Sequence, residues 1–343
     1  MHYSRIIPLT LPLAVAVAAE VASYEFPAFD DLPIVNGEPQ GSLWGFFDEN
    51  GRKDEIGTIN ILTPSVVQAA SREIRSGEHV QLDWSLDNFE HPEFGRIPFQ
   101  RRPIDVNVTL GVIGMDEELY FNTQSGSQWD SLKHYAIQTT ERYYNGMTHA
   151  EAVAGERNGI HNWCQRGGIV GRGVLVDWFA WYEHTYGSAP SPVTKYEIAV
   201  EELERTLKWQ GTRTRKGHIL IVRSGYLNWY NNATESEREA GMASGTAIGV
   251  ESSEKTVRWL YDRHFAAVAS DSSFEAVPFP MDGTWAMHDW LLVHWGTPIG
   301  EHWNLEELAD VCKRQGRWTF FLTSAPLHVK GGVASPPGAI AIF

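Results

Sequence analysis

Four side chains able to move protons or orient a carbonyl group fall within one short stretch of this sequence: Gln124, Gln128, Asp130 and His134. The run before them, Leu119 to Thr123, alternates apolar and polar residues as a β-strand does. A strand that leads into a glycine-containing polar turn presents side chains where enzymes often assemble their sites. The carboxylate and imidazole can exchange protons, and the amides can hydrogen-bond a carbonyl or a water. The stretch therefore predicts an acid–base site.

A second group of candidates lies far downstream, at His288 and Glu301. The sequence from His288 is apolar at helical spacing up to Gly296, after which proline and glycine prevent the helix from continuing. A carboxylate just beyond a buried helix needs a partner, because an unpaired charge in an apolar setting is costly. We therefore expect this segment to meet the first stretch in the folded chain. His294 is interpreted as a packing or surface residue.

The first stretch resembles the signature of the cyclase family, the kynurenine-formamidase-like metal-dependent hydrolases, which reads His-x-Gly-Thr-His-x-Asp-x-Pro-x-His. The matching residues are Gly126, Asp130 and His134, with Ser127 in place of Thr and Leu132 in place of Pro. The downstream segment looks like the family's His…Leu-Leu…Gly…Glu block, whose His and Glu join the metal or catalytic centre. On this match, His288 and Glu301 take those roles. The resemblance covers the chain from about Trp44 to its end.

Gln124 and Gln128 occupy the positions of the first two histidines of the signature. In the family these histidines bind a zinc or manganese ion together with the Asp. An imidazole is a good ligand for such metals, whereas an amide oxygen is a weak one. The resemblance therefore implies the fold and the acid–base residues, and leaves the metal open.

The alternation of strand-like and helical patterns predicts an α/β protein. The resemblance implies its form, a compact barrel-like mixed β-sheet flanked by helices. We expect residues 24–343 to form a single domain of this kind. The expected strands include His79–Trp84, Ile104–Leu110, Val174–Trp178, His218–Arg223, Phe265–Ser270 and Arg317–Ser324, and the expected helices include those following Thr63, following Thr194 with Glu197 in a capping box, and from Ser253 to His264.

Residues 1–23 predict a signal peptide or an apolar N-terminal arm, because a weakly basic start precedes a short apolar run and small residues. The run is too short to span a membrane. A secreted or vesicular location follows, with the cytoplasm as the alternative. Cys164 and Cys312 are expected to be two buried free thiols.

Composition limits the possible partners. A formal net charge of −15 argues against nucleic acid and anionic membranes. With 14 Trp, 12 Tyr and 15 Phe, the chain is suited to a neutral, partly aromatic or cyclic small molecule such as a secondary metabolite. Trp44 and Trp129 are candidate substrate contacts, with core packing as the alternative for Trp44. The resemblance also implies a homo-oligomer, either a dimer or a tetramer.

Three functions remain open. In the first, the protein is a hydrolase or a lyase that uses acid–base catalysis without a metal. It closes, opens, dehydrates or hydrolyses a small cyclic carbonyl compound. The catalytic residues are Asp130, His134, His288 and Glu301. Gln124 and Gln128 would then bind the substrate or a water. In the second, the same four residues hold zinc or manganese in an amide or lactone hydrolase. In the third, the chain binds a small molecule without catalysis.

Overall fold

A mixed β-sheet forms the centre of the molecule. The computed structural model describes residues 24–343 apart from 91, 93 and 283, so the expected signal peptide at 1–23 lies outside the described residues. Within them, nine strands form a curled half-barrel sheet, in the order β1-β13-β11-β5-β7-β9-β10-β4-β12. This confirms the expected barrel-like α/β architecture. Its strands are β1 (His79–Gln81), β4 (Gln128–Asp130), β5 (Ile169–Val176), β7 (Ile219–Val222), β9 (Ala267–Ser270), β10 (Ile299–Glu301), β11 (Thr319–Ser324), β12 (Ala334–Ser335) and β13 (Ala339–Ile342).

The middle of the sheet is parallel and buried. Strands β5, β7, β9 and β10 run parallel to one another, whereas the outer strands pair antiparallel. Every residue of β7 and β9 is buried, as expected for strands covered on both faces.

Helices and short helical turns surround the sheet. The α-helices are α1 (Pro64–Ala70), α2 (Val106–Leu110), α3 (His149–Ala154), α4 (His161–Gln165), α5 (Trp178–Tyr186), α6 (Val200–Trp209), α7 (Tyr226–Asn232), α8 (Glu235–Ala243), α9 (Glu254–Arg263) and α10 (Glu306–Gln315). A π-helix spans Asp289–Trp295, and 3₁₀ turns span Phe29–Asp31, Gly57–Ile61, Ser71–Glu73 and Tyr144–Gly146.

Two small sheets differ from the strand and helix boundaries that the sequence predicted, and the first is formed by β2 (Gln100–Asp105) and β3 (Met115–Tyr120). The strand expected at Ile104–Leu110 is wrong from Val106 onward. There the chain forms α2, which the Asp105 side chain caps by accepting from the Asn107 N–H at 2.9 Å. The strand before it is β2, which pairs with β3. The strand expected at Leu119–Thr123 therefore begins and ends earlier.

The helix expected after Thr194 also starts late. Glu197 and Ile198 form β6, which pairs with β8 (Gly249–Val250). These two residues are therefore part of a strand and cannot begin the helix. Helix α6 begins at Val200, where the Glu202 side chain accepts from the Ala199 N–H at 3.3 Å. The capping interaction that the sequence suggested at Glu197 thus lies five residues further along. Among the described residues, no helix is long and apolar enough to cross a membrane.

Strand register places the candidate site residues. Strand β4 lies between β10 and β12, with Gln128 opposite Glu301 and Asp130 opposite Ile299. Because side chains alternate along a strand, Gln128 and Asp130 share one face and Trp129 points to the other. Strand β12 belongs to the closing segment 325–337, so this segment runs along the strand that carries the site.

Candidate active site

A hydrogen-bonded network joins the two segments that the sequence singled out. The Gln128 amide nitrogen donates to Glu301 Oε2 at 3.0 Å and to Gln124 Oε1 at 2.5 Å. The Gln124 amide nitrogen in turn donates to Asp130 Oδ1. Carboxylate oxygens that carry no proton can only accept hydrogen bonds, so the amide nitrogens of Gln124 and Gln128, and not their oxygens, must face Asp130 and Glu301. The glutamines thus turn N–H groups toward the carboxylates.

His288 is held against these carboxylates from the opposite side. It immediately precedes the π-helix, and its Nδ1 lies 2.6 Å from Glu275 Oε1. Its Nε2 faces Asp130 Oδ2 at 3.8 Å and Glu301 Oε1 at 3.6 Å. Burial lowers the pKa of His288, but the Glu275 hydrogen bond and the three carboxylates outweigh burial and raise it to about 9. In the absence of a metal ion, these carboxylates therefore favour the imidazolium form of His288.

Glu275 is the site residue that sequence reasoning missed. Its fully buried carboxylate also accepts from Ser252 Oγ at 2.6 Å, from the Met287 N–H at 2.8 Å and from the His288 N–H at 3.1 Å. One feature of the sequence could have identified Glu275: it is a carboxylate in an otherwise apolar run shortly after the buried strand β9, where a charge needs a partner. Glu275 fixes both the backbone and the ring of His288.

His134 completes the cluster from the turn after β4, where its N–H donates to Ser131 O at 3.0 Å. Its ring centroid lies 6.1 Å from that of His288. Burial lowers the pKa of His134, and the positive charge of His288 adds to this against the opposing effect of Asp130. Burial and the Asp130 carboxylate raise the pKa of Glu301. The cluster therefore contains a neutral base beside protonated groups.

These side chains line a pocket of about 230 Å³. His134, His288 and Glu301 form part of its wall together with aromatic side chains and one arginine. The rest of the wall includes Phe94, Arg96, Tyr135 and Phe279.

Neither tryptophan expected to contact the substrate lies in this pocket. Trp129 is fully buried on the opposite face of β4, where its indole N–H donates to Ser324 Oγ at 2.9 Å. Trp44 is buried, and its indole N–H donates to Val293 O at 2.7 Å. Both rings pack in the core, as does His294.

The donor set also fits a divalent cation. Asp130, His134 and His288 each offer a ligand atom, and these atoms lie within 4.8 Å of one another. Among the described residues, three buried oxygens of the site have no hydrogen-bond partner: Gln128 Oε1, Asp130 Oδ2 and Glu301 Oε1. Unpartnered carboxylate oxygens in the interior need a proton or a cation. Imidazole and carboxylate are suitable ligands for zinc or manganese.

The fold and this site define a class of protein. The chain matches the Cyclase family model over residues 10–274, and it belongs to the cyclase family. A solved structure described as a novel cyclase is 30% identical, with a TM-score of 0.74, and the match covers 88% of this chain and 99% of that one. The family resemblance of the signature is thus confirmed.

More distant solved structures share the fold. Isatin hydrolase A from Ralstonia solanacearum is 18% identical with a TM-score of 0.53, covering 82% of this chain and 98% of that one. An isatin hydrolase bound to the product analogue thioisatinate is 14% identical with a TM-score of 0.55, covering 81% and 97%. No curated protein matched.

Proposed function

We propose that this protein is a hydrolase- or cyclase-type enzyme that acts by acid–base catalysis on a small cyclic carbonyl compound. The observation that carries the proposal is the convergence of His134, His288 and Glu301 on one pocket from segments far apart in sequence, with Asp130 buried beside His288. Membership of the cyclase family supports a reaction at a carbonyl group. The shared fold of the isatin hydrolases is consistent with a cyclic substrate.

The residues suggest a division of roles for hydrolytic ring opening. Neutral His134 removes a proton from water, whose oxygen attacks the carbonyl carbon. The imidazolium of His288 donates a hydrogen bond to the carbonyl oxygen, which gains negative charge in the transition state. When the ring C–N or C–O bond breaks, the leaving atom takes a proton from Glu301. Ring closure is the reverse sequence.

Gln124 and Gln128 support this arrangement by holding the carboxylates, and Gln124 also lines the pocket. Their N–H groups satisfy one oxygen each of Asp130 and Glu301, and leave the other oxygen of each carboxylate facing His288. The family's two signature histidines are thereby replaced by hydrogen-bond donors. The buried Asp130 carboxylate can persist beside protonated Glu301 without a metal, because the amide donors and the His288 imidazolium offset its charge.

A metal-dependent form is the second candidate, favoured by the three unpartnered buried oxygens. Asp130, His134 and His288 would hold the ion, with Glu301 beside them. When bound, zinc or manganese would polarise a carbonyl and lower the pKa of a water.

Turnover assays on chelator-treated protein test the proposal. The substrates are small aromatic lactones, lactams and cyclic imides, with product formation followed by mass spectrometry. We expect ring opening of at least one class, unchanged by the chelator. Turnover only after addition of zinc or manganese would select the metal-dependent form. No turnover in either condition, with tight ligand binding, would indicate a binding protein.

A further inference from the structure

Arg96, a cation in the pocket wall, acts electrostatically on Glu301 but forms no salt bridge with a described residue. The Arg96 side chain lines the pocket and donates through Nη1 to Gln124 O at 3.0 Å, with its guanidinium 5.0 Å from the Phe94 ring centroid. It forms no ion pair with any described carboxylate. A guanidinium carries five N–H donors, so most of its hydrogen-bonding capacity is unused.

Three other partly buried arginines among the described residues have what Arg96 lacks, a paired carboxylate. Arg172 pairs with Glu73 at 2.7 Å, and Arg317 pairs with the same carboxylate at 2.9 Å. Arg223 pairs with Asp177 at 2.9 Å and with Glu306 at 2.7 Å. Each of these guanidiniums has a carboxylate supplied by the fold. The equivalent position beside Arg96 opens into the pocket.

The pocket walls are suited to a planar ring. Phe279 stacks on His288 with ring centroids 5.0 Å apart and an interplanar angle of 14°. The Tyr135 ring centroid lies 5.1 Å from that of His288. Aromatic walls of this kind favour flat apolar ligands, which gain both burial and stacking.

Charge favours an anionic group of the ligand at Arg96, the cation in the pocket wall that has no ion-paired carboxylate among the described residues. The buried carboxylate of Asp130, beside His288, disfavours an anionic group there. Guanidinium recognises carboxylate through two parallel N–H···O bonds. Building on the proposed function, we propose that Arg96 binds a carboxylate carried by the substrate, which is a planar aromatic compound with a separate reacting carbonyl. Arg96 thereby places that carbonyl against His134 and His288.

Equilibrium binding of a matched pair of probes tests this without turnover. Calorimetry in the presence of a chelator compares 2-naphthoate with its neutral analogue 2-naphthamide. We expect the wild type to bind the acid about tenfold or more tightly than the amide. Arg96→Gln should lose this preference while its affinity for the amide stays the same. Arg96→Lys, which keeps the charge but not the paired donors, should retain only part of it.

Arg101→Gln is the matched control, because Arg101 is exposed and pairs with Glu117 away from the pocket. It should keep the full preference, and thermal melting of each variant establishes that it is folded. Equal affinities of the wild type for the two probes, or an undiminished preference in Arg96→Gln, would overturn the proposal. Since binding is measured without catalysis, these outcomes are independent of whether the enzyme opens rings.

Discussion

The His134 ring combines a lowered pKa with a position between the pocket and Asp130, so a single substitution tests its role. His134→Gln keeps the size and one hydrogen bond but removes the titrating group. We expect turnover to fall by about a hundredfold or more, with ligand binding and melting temperature retained. His184→Gln, at an exposed histidine on α5 outside the site, is the control. Near-normal turnover in His134→Gln would assign the proton transfer to His288 or Glu301 instead.

The two glutamines decide whether the protein holds a metal. Because their N–H groups face the carboxylates, we expect protein purified without added metal to contain substoichiometric zinc or manganese and to keep its activity in chelator. Elemental analysis and assays with and without chelator measure this. Restoring both histidines, Gln124→His with Gln128→His, should increase zinc affinity. One tightly bound metal per chain, with activity lost on its removal, would contradict the expectation.

At the scale of elements, Glu275 joins the loop after β9 to the start of the π-helix. Glu275→Ala would leave the buried N–H groups of Met287 and His288 without acceptors, and we expect a loss of about 3 kcal/mol in unfolding free energy. Denaturant unfolding measures it. Glu183→Ala, at an exposed site on α5, should change stability little. A loss in Glu275→Ala no larger than in this control would mean that the loop does not depend on the carboxylate.

The π-helix also carries a pH-sensitive group. His294 is buried and stacks on Trp290 with centroids 4.5 Å apart, and burial lowers its pKa to about 4. Between about pH 6.5 and 4 the unfolded chain binds a proton here that the folded chain does not, so stability falls as pH falls. His294→Phe should reduce this slope by up to about 1.4 kcal/mol per pH unit. Denaturant unfolding at about pH 7 and about pH 5 provides the comparison, and an unchanged slope would show that other groups account for it.

At the scale of the molecule, residues 100–120 form an arm, made of β2, α2 and β3, whose strands pair only with each other among the described residues. Its apolar side chains are exposed, with Val108 at 81% and Ile113 at 88%. A two-stranded hairpin is marginal alone, so this surface needs a partner. Glu117 and Glu118 pair with Arg101 and Arg102 within the arm, so the surface left over is apolar. The closing segment exposes Leu327 and Val329, and a second copy of the chain could cover both apolar surfaces.

We therefore expect a homodimer in which each arm contacts the closing segment of its partner. Val108→Asp combined with Ile113→Asp should give monomers by light scattering after size-exclusion chromatography, because charge on the buried arm opposes docking. Tyr186→Asp, at an exposed site on α5, should remain dimeric. A monomeric wild type, or a dimer that survives the double substitution, would show that the arm has another partner.

The sequence alone determined the family and predicted the candidate site residues. Asp130 and His134 stand at the spacing of the cyclase signature, His288 and Glu301 match the family's downstream block, and alternating patterns were enough to predict a mixed α/β fold. These inferences depend only on residue types and local spacing, so the order of residues is enough to make them. Strand β4 itself was not predicted, because a glycine-containing polar stretch indicates a turn and three residues are too few to show an alternating pattern.

The tertiary structure decided how these groups are surrounded. Glu275 reaches His288 through a turn of the chain that no periodic pattern encodes, and Arg96 enters the pocket from a segment before the arm. Whether Trp129 met substrate or the core depended on what covers each face of β4. Such contacts follow from strand register and packing between distant segments. Local propensity cannot specify them, because their energy comes from neighbours brought together only on folding.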